Sequence, residues 1–282
     1  MRSTMIRRCA AGLARALPPV LAYPLIRRCD RFIRGSAHVA RIGEVLFPFL
    51  PVLEHRDFFY GWFEPEVQRA IHEHLPRGGC FADVGANDGF FTAVAAAKGG
   101  PDGRYFAFEP NVLHFNRLSE MASINAPRFQ IQCIEAAVMD FEGTTAFFEC
   151  NHPGWHTTDP ARRIEGQTYR ERTIPCLTLD AFAEKYSIET IDLLKIDVEG
   201  AEEQVLKGAQ RLFKEGRIKS MIIELHHPGH AVAPPLVAFL KSLGWSVADA
   251  KTGGPVIPQP ERQTSNALCL PASGSNFREI PS

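Results

Sequence analysis

The stretch FADVGANDGFF, Phe81 to Phe91, decides the fold. An apolar run carrying Asp83 breaks at Gly85, passes the bare Asn87-Asp88 pair and, at Gly89, enters a second apolar stretch. That order predicts a buried strand, a side-chain-poor turn and a helix. The turn then lies at the carboxyl end of its strand, where open α/β sheets bind ligands. Gly85 allows a sharp bend and a close approach of ligand to backbone, and Gly89 opens a helix whose first N–H groups face the ligand. The plain alternative is a tight strand–helix turn with no ligand.

Further short, apolar, turn-bounded runs follow at 105–110, 131–138, 192–197 and 220–225, besides 80–86. They read as buried parallel strands. Helical candidates near 90–98, 113–123, 179–186, 200–213 and 233–243 separate them. Such alternation predicts a doubly wound sheet with helices on both faces. After the last helix, 245–250 and 266–271 flank a Gly/Pro-rich span at 252–260 that has no room for a helix, so these strands must pair antiparallel. The expected α/β fold is therefore a mostly parallel, Rossmann-like, seven-stranded sheet ending in an antiparallel hairpin. Between 144–150 and 172–179 the rhythm breaks. Residues 151–171 are polar, aromatic and Arg-rich, long for a connection, and are expected to form a lid over the site.

The 282 residues, 45% of them hydrophobic, suffice for one large core. The formal net charge of -1 argues against a general affinity for nucleic acid, but it hides an asymmetry. Residues 1–35 hold eight Arg, no Lys and one acid, Asp30, which leaves 23 of the 31 basic and 31 of the 32 acidic residues to the body. The head is a poor signal peptide, because Arg15 and Pro18-Pro19 interrupt its apolar part. It is expected to pack, stay disordered, or touch an anionic membrane peripherally as an amphipathic segment. Seven dispersed cysteines without a CxxC pair suggest reduced thiols and a cytoplasmic setting. The expected organisation is a basic segment at 1–45, a helical lead-in at 46–79 covering the site, and a main domain at 80–282.

The turn departs from G-x-G-x-x-G: Asn87 takes the middle position and a second carboxylate, Asp88, follows. Two carboxylates repel a diphosphate and attract a cation. S-adenosylmethionine (SAM), with an amino group and a sulfonium, suits such a turn better than NAD does. Glu109 ends the next strand about twenty residues on, the offset at which an acid accepts both ribose hydroxyls, although it is equally placed to cap the following helix. A third apolar strand ends at Asp197, with Gly200 turning into an amphipathic helix.

Taken in order, Asp83-Val-Gly-Ala-Asn-Asp-Gly89, Phe108-Glu-Pro110 and Leu194-Lys-Ile-Asp-Val-Glu-Gly-Ala-Glu202 resemble the FkbM-type SAM-dependent methyltransferases. Gly61-Trp-Phe-Glu-Pro65 and Ile222-Ile-Glu-Leu225 are similar to that family too. The resemblance implies a class I methyltransferase fold, SAM as cofactor, and methylation of a hydroxyl on a sugar, glycan or other small molecule. By position it implies that Asp83, Gly85, Asn87 and Gly89 hold the methionine part of SAM. Glu109 and Pro110 would then lie at the ribose, Ala136 and Ala137 at the adenine, and Asp197 at the methyl-transfer site.

A hydroxyl acceptor must lose a proton, so a base is needed. Asp197 is the first candidate, followed by Glu224 and His226; Glu199 and His227 stand nearby on the acceptor side. An imidazole titrates in the right range, but these histidines could equally be surface residues before Pro228. Lys195 is read as structural or solvent-seeking. Glu224, His226, His227 and His230 offer ligand atoms for a divalent ion, yet neighbours on a strand point apart and no HExxH motif supports it, so no metal is assigned. In the lid, Trp155 and His156 are candidates to contact the acceptor. Arg162, Arg163, Arg170 and Arg172 could clamp an acidic one, or form a solvated charge run. N-, protein or RNA methylation, NAD-dependent oxidation and non-catalytic SAM binding are the competing functions.

Overall fold

The computed structural model describes residues 38–49, 63–152, 155–226, 233–256 and 264–272. The chain divides into two units, Met1–Pro65 and Glu66–Ser282. In the first, β1 (His38–Ile42) and β2 (Val45–Phe49) form an antiparallel hairpin with His38 opposite Phe49. The Arg-rich head at 1–35 lies outside the described residues, as do 50–62 of the expected lead-in.

In the second unit the alternation read from the sequence is realised. After α1 (Pro65–His74) come β3 (Cys80–Val84), α2 (Phe90–Gly99), β4 (Arg104–Phe108), α3 (Val112–Asn125) and β5 (Gln130–Ile134). Then follow β6 (Ala137–Val138), β7 (Gly143–Cys150), β8 (Tyr169–Leu177), α4 (Leu179–Lys185), β9 (Leu193–Ile196), α5 (Glu202–Lys207), α6 (Gln210–Lys214), β10 (Met221–His226), α7 (Ala233–Ser242), β11 (Trp245–Asp249) and β12 (Thr264–Pro271). The main sheet has seven strands in the order β11-β12-β10-β9-β3-β4-β5. β3 pairs in parallel with β4 and β9, and β12 runs antiparallel to both β10 and β11. This is the Rossmann-like α/β sheet with an antiparallel finish.

All five residues of β3 are buried, which is why its sequence is continuously apolar apart from Asp83. Phe90 through Ala96 of α2 are buried as well, so that helix is covered all round. Each large apolar side chain removed from water contributes about 1.5–3 kcal/mol, and Phe81, Phe108, Leu194 and Trp245 are among those fully enclosed. None of the five described cysteines is in a disulfide, and burial pushes the Cys80 thiol up to about 12. Among the described residues no helix is long and apolar enough to cross a membrane.

Three elements differ from the sequence reading: the lead-in expected to be helical from 46 begins with the strand β2, through Phe49, and two further differences lie in the second unit. Residues 131–138 are two strands in different sheets, because the Ala136 N–H turns back onto the Ile134 carbonyl at 3.0 Å and bends the chain. β6 then joins β8 and β7 in a second, three-stranded sheet. The helix expected at 200–213 is broken at Gly208, where a Cβ would stand 2.0 Å from the Met139 carbonyl oxygen.

Candidate active site

The sheet order brings the ends of β3, β4, β9 and β10 side by side. At the first of these ends the turn is left-handed at Gly85 (φ +81), Asn87 (φ +50) and Gly89 (φ +87). A Cβ on Gly85 would lie 1.7 Å from the Asp197 carbonyl oxygen, so the missing side chain lets the turns after β3 and β9 touch. On Gly89 it would meet Leu118 and Met121 of α3, at 2.7 and 2.9 Å. The turn spends its own donors internally. Gly85 and Ala86 N–H reach the Phe108 carbonyl, Asn87 N–H reaches Glu109 Oε2, Asp88 N–H reaches Asn87 Oδ1 and Gly89 N–H reaches the Ala86 carbonyl. A diphosphate cradle needs such N–H groups pointing at the ligand, and these five point elsewhere.

Glu109 is buried at the tip of β4 and accepts one backbone N–H on each oxygen, from Asn87 and from Asn111, both at 2.8 Å. Burial drives its carboxyl up to about 7, against the two N–H donors and the nearby His114. The helix cap that Glu109 was equally placed to provide comes instead from Asn111, whose Oδ1 accepts from Leu113 and His114 N–H. Pro110 between them is half-buried. Asp88, the second acid of the turn, is occupied within the protein. Its carboxylate takes His114 Nδ1 at 2.6 Å and Arg117 Nη1 at 3.1 Å, which ties the turn to α3. The second carboxylate counted at this turn is therefore spent on α3, and Glu109 is the acid bonded to the turn's backbone.

Asp83 is 1% exposed. Thr92 Oγ1 donates to its Oδ2 at 2.6 Å, and Lys195 Nζ stands 3.7 Å from its Oδ1. The same ammonium donates to Asp197 Oδ2 at 3.0 Å. Of the two readings of Lys195, structural or solvent-seeking, burial excludes the second: this lysine is 2% exposed, and, two residues from Asp197 on a strand, it shares its face. Asp197 itself reaches the surface of the site with a side chain 26% exposed. Oxygens of Asp197, Glu199 and Glu224 converge to within 4.8 Å of one another, from the ends of β9 and β10. Hard oxygen ligands suit a divalent cation, but half-buried acids in a group are not by themselves a site. The side chain of His226, and all of His227 and His230, lie outside the described residues.

Ala136 and Ala137 are buried at the bend after β5. Residues 155–168 fold back along the hairpin of β7 and β8. Thr157 pairs with Phe148, its Oγ1 donates to the Glu199 carbonyl at 2.9 Å, and a single 3-10 turn spans Pro160–Arg162. Arg162 lies over Gly200 (φ +110), whose Cβ would stand 2.8 Å from its Nε. The segment expected to be a lid therefore rests on the turn that follows Asp197. His156 Nδ1 accepts from Cys150 N–H at 3.0 Å, and its Nε2 is 3.5 Å from Asn111 Nδ2. Burial and the neighbouring His114 hold this imidazole down at about 4, so it is neutral at physiological pH. Trp155 stacks on His152 with ring centroids 4.0 Å apart. Of the four arginines expected in the lid, Arg170 and Arg172 lie instead in β8, where Arg172 pairs with Glu149, and Arg163 lies over the Phe148 ring.

A family model described as the methyltransferase FkbM domain matches residues 83–245. Methyltransferase sdnD of Sordaria araneosa is 26% identical over 200 residues, 62% of this chain and 76% of its own length. Hexuronic acid methyltransferase AglP of Haloferax volcanii is 27% identical over 163 residues, 58% of this chain and 62% of its own. A solved methyltransferase FkbM of Methylobacillus flagellatus KT aligns with a TM-score of 0.46 at 15% identity, covering 75% of this chain and 52% of that one.

Proposed function

This chain belongs to the FkbM methyltransferase family and is a SAM-dependent methyltransferase, and we propose that it methylates a hydroxyl on a sugar, glycan or other small molecule. The observation that carries the reading is the meeting of the turns after β3 and β9, where the Asp197 carbonyl fills the space left by Gly85. The candidate base is thereby joined to the candidate cofactor turn. A relative named for a hexuronic acid, itself a sugar acid, supports a sugar as the acceptor.

The residues present fit SAM. Each Glu109 oxygen accepts one N–H and keeps capacity for a ribose hydroxyl, and the turn offers no spare donors to a diphosphate. In this reading Asp83, Gly85, Asn87 and Gly89 shape the pocket for the methionine part, Glu109 and Pro110 hold the ribose, and Ala136 and Ala137 flank the adenine. Bound SAM supplies an activated methyl group on sulfur, and the neutral thioether it leaves behind needs no acid. The protein's own part is alignment, worth about 7–11 kcal/mol, and proton removal from the hydroxyl, worth about 10²–10⁴-fold. Asp197 is the proposed base, with Glu224 and His226 as its alternates. Trp155, His156, Glu199 and His227 are proposed on the acceptor side.

Mass spectrometry of metabolites and glycans from cells with and without the protein tests this. A hydroxylated sugar or small molecule should gain one methylene only where the protein is present, and the gain should disappear in Asp197→Asn. A gain on nitrogen, on protein or on RNA would overturn the acceptor class.

A further inference from the structure

Lys195 is the only buried Lys or Arg among the described residues. Enclosing an ammonium costs several kcal/mol even after relaxation, and replacing a buried ion pair with apolar side chains is often neutral or stabilising. Such a group is therefore weak evidence of a purely stabilising role. The ammonium bonds to Asp197 Oδ2 at 3.0 Å, faces Asp83 Oδ1 at 3.7 Å and lies 5.1 Å from the centre of the Phe91 ring. Asp83 Oδ1 has no hydrogen-bond partner among the described residues, so this cation is what answers its charge. The arrangement runs outward from a fully buried carboxylate, through a fully buried ammonium, to a carboxylate that reaches the site.

We propose that Lys195 is a positioning residue for Asp197: anchored by Asp83, its ammonium fixes one oxygen of the Asp197 carboxylate and so sets the orientation in which that carboxylate meets the acceptor hydroxyl. This rests on the reading of Asp197 as the base. A base held by a short bond on one oxygen keeps the other in line, and misplacement by an ångström can cost about 10²-fold.

The experiment follows conversion of SAM to its demethylated product in a small-molecule extract of cells lacking the protein, with SAM affinity measured by calorimetry and folding by circular dichroism. Lys195→Met should slow turnover about 30- to 100-fold at saturating SAM while shifting SAM affinity less than about threefold. Lys195→Arg should restore at least about a tenth of the rate, because it keeps the charge. Adding Lys195→Met to Asp197→Asn should cost little beyond Asp197→Asn alone, as for groups that act as a unit. If Lys195→Met does not fold, Lys195→Gln, which retains an N–H for Asp197 but no charge, carries the same readouts. Turnover within about twofold of the parent in the folded variant, or losses that multiply in the double variant, would overturn the proposal. Failure of Asp197→Asn to slow turnover, or absence of turnover by the unaltered protein, would instead bring down the functional reading and this inference with it.

Discussion

Glu109 is the residue at which burial and ligand binding compete most directly. Its carboxyl has an ordinary value of 4.5 and is raised to about 7 by enclosure. A folded-state value above the unfolded one means the folded protein binds the proton more tightly, so ionisation works against folding. Stability without SAM should therefore fall as pH rises from 4.5 through about 7, and Glu109→Gln should flatten that part of the Tm profile. Ribose hydroxyls bond to the anion, so SAM affinity should climb over the same interval and lose its pH dependence in the Gln variant. A flat parent profile would remove Glu109 from the cofactor site. At this scale the sequence was partly legible. An acid at the end of an apolar strand stands out, as do Asp83 and Asp197. Asp88 stood out equally and is directed into α3, because the signal for its partners, His114 and Arg117, is only a helical spacing shared by any surface residues. Lys195 did not stand out, because a lysine in an apolar strand carries no sign of which carboxylates it will meet.

The elements that matter are two turns and one returning segment. Gly85 is required both by its left-handed φ of +81 and by the Asp197 carbonyl 1.7 Å from a would-be Cβ. Gly85→Ala should cost at least about 2 kcal/mol in urea unfolding and abolish SAM binding at temperatures where the variant remains folded. An alanine tolerated at less than about 0.5 kcal/mol would mean the two turns are not in contact. The segment from Trp155 to Thr168 is fastened at Thr157, whose hydroxyl bonds to the Glu199 carbonyl. Removing that bond in Thr157→Val should cost about 1 kcal/mol, speed proteolysis within 157–168 and leave SAM affinity unchanged. Strand and helix positions were legible because periodicity and turn residues act locally. The second sheet was not, since its strands are joined across the break at 151–171 and by a bend at Ala136 that no glycine or proline announces.

Over the whole molecule, the charge separation between an Arg-rich head and an acidic body is fixed by the sequence and has a consequence for location. Full-length protein should bind vesicles containing anionic lipid more strongly than a variant lacking residues 1–35, with an effect that weakens as salt is added, while both bind SAM equally. Equal vesicle binding by the two forms would remove the membrane role from the head. The parallel sheet follows from the strand–helix alternation, its antiparallel finish from the short span at 252–260, and the preference for SAM over a dinucleotide from the turn at 85–89 with acids at the tips of β4 and β9. Titrating the purified protein with SAM, its demethylated product and NAD in a calorimeter tests that central claim most directly. SAM and its product should each saturate a single site, and NAD should give no heat of binding. Saturable binding of NAD with none for SAM would contradict the account.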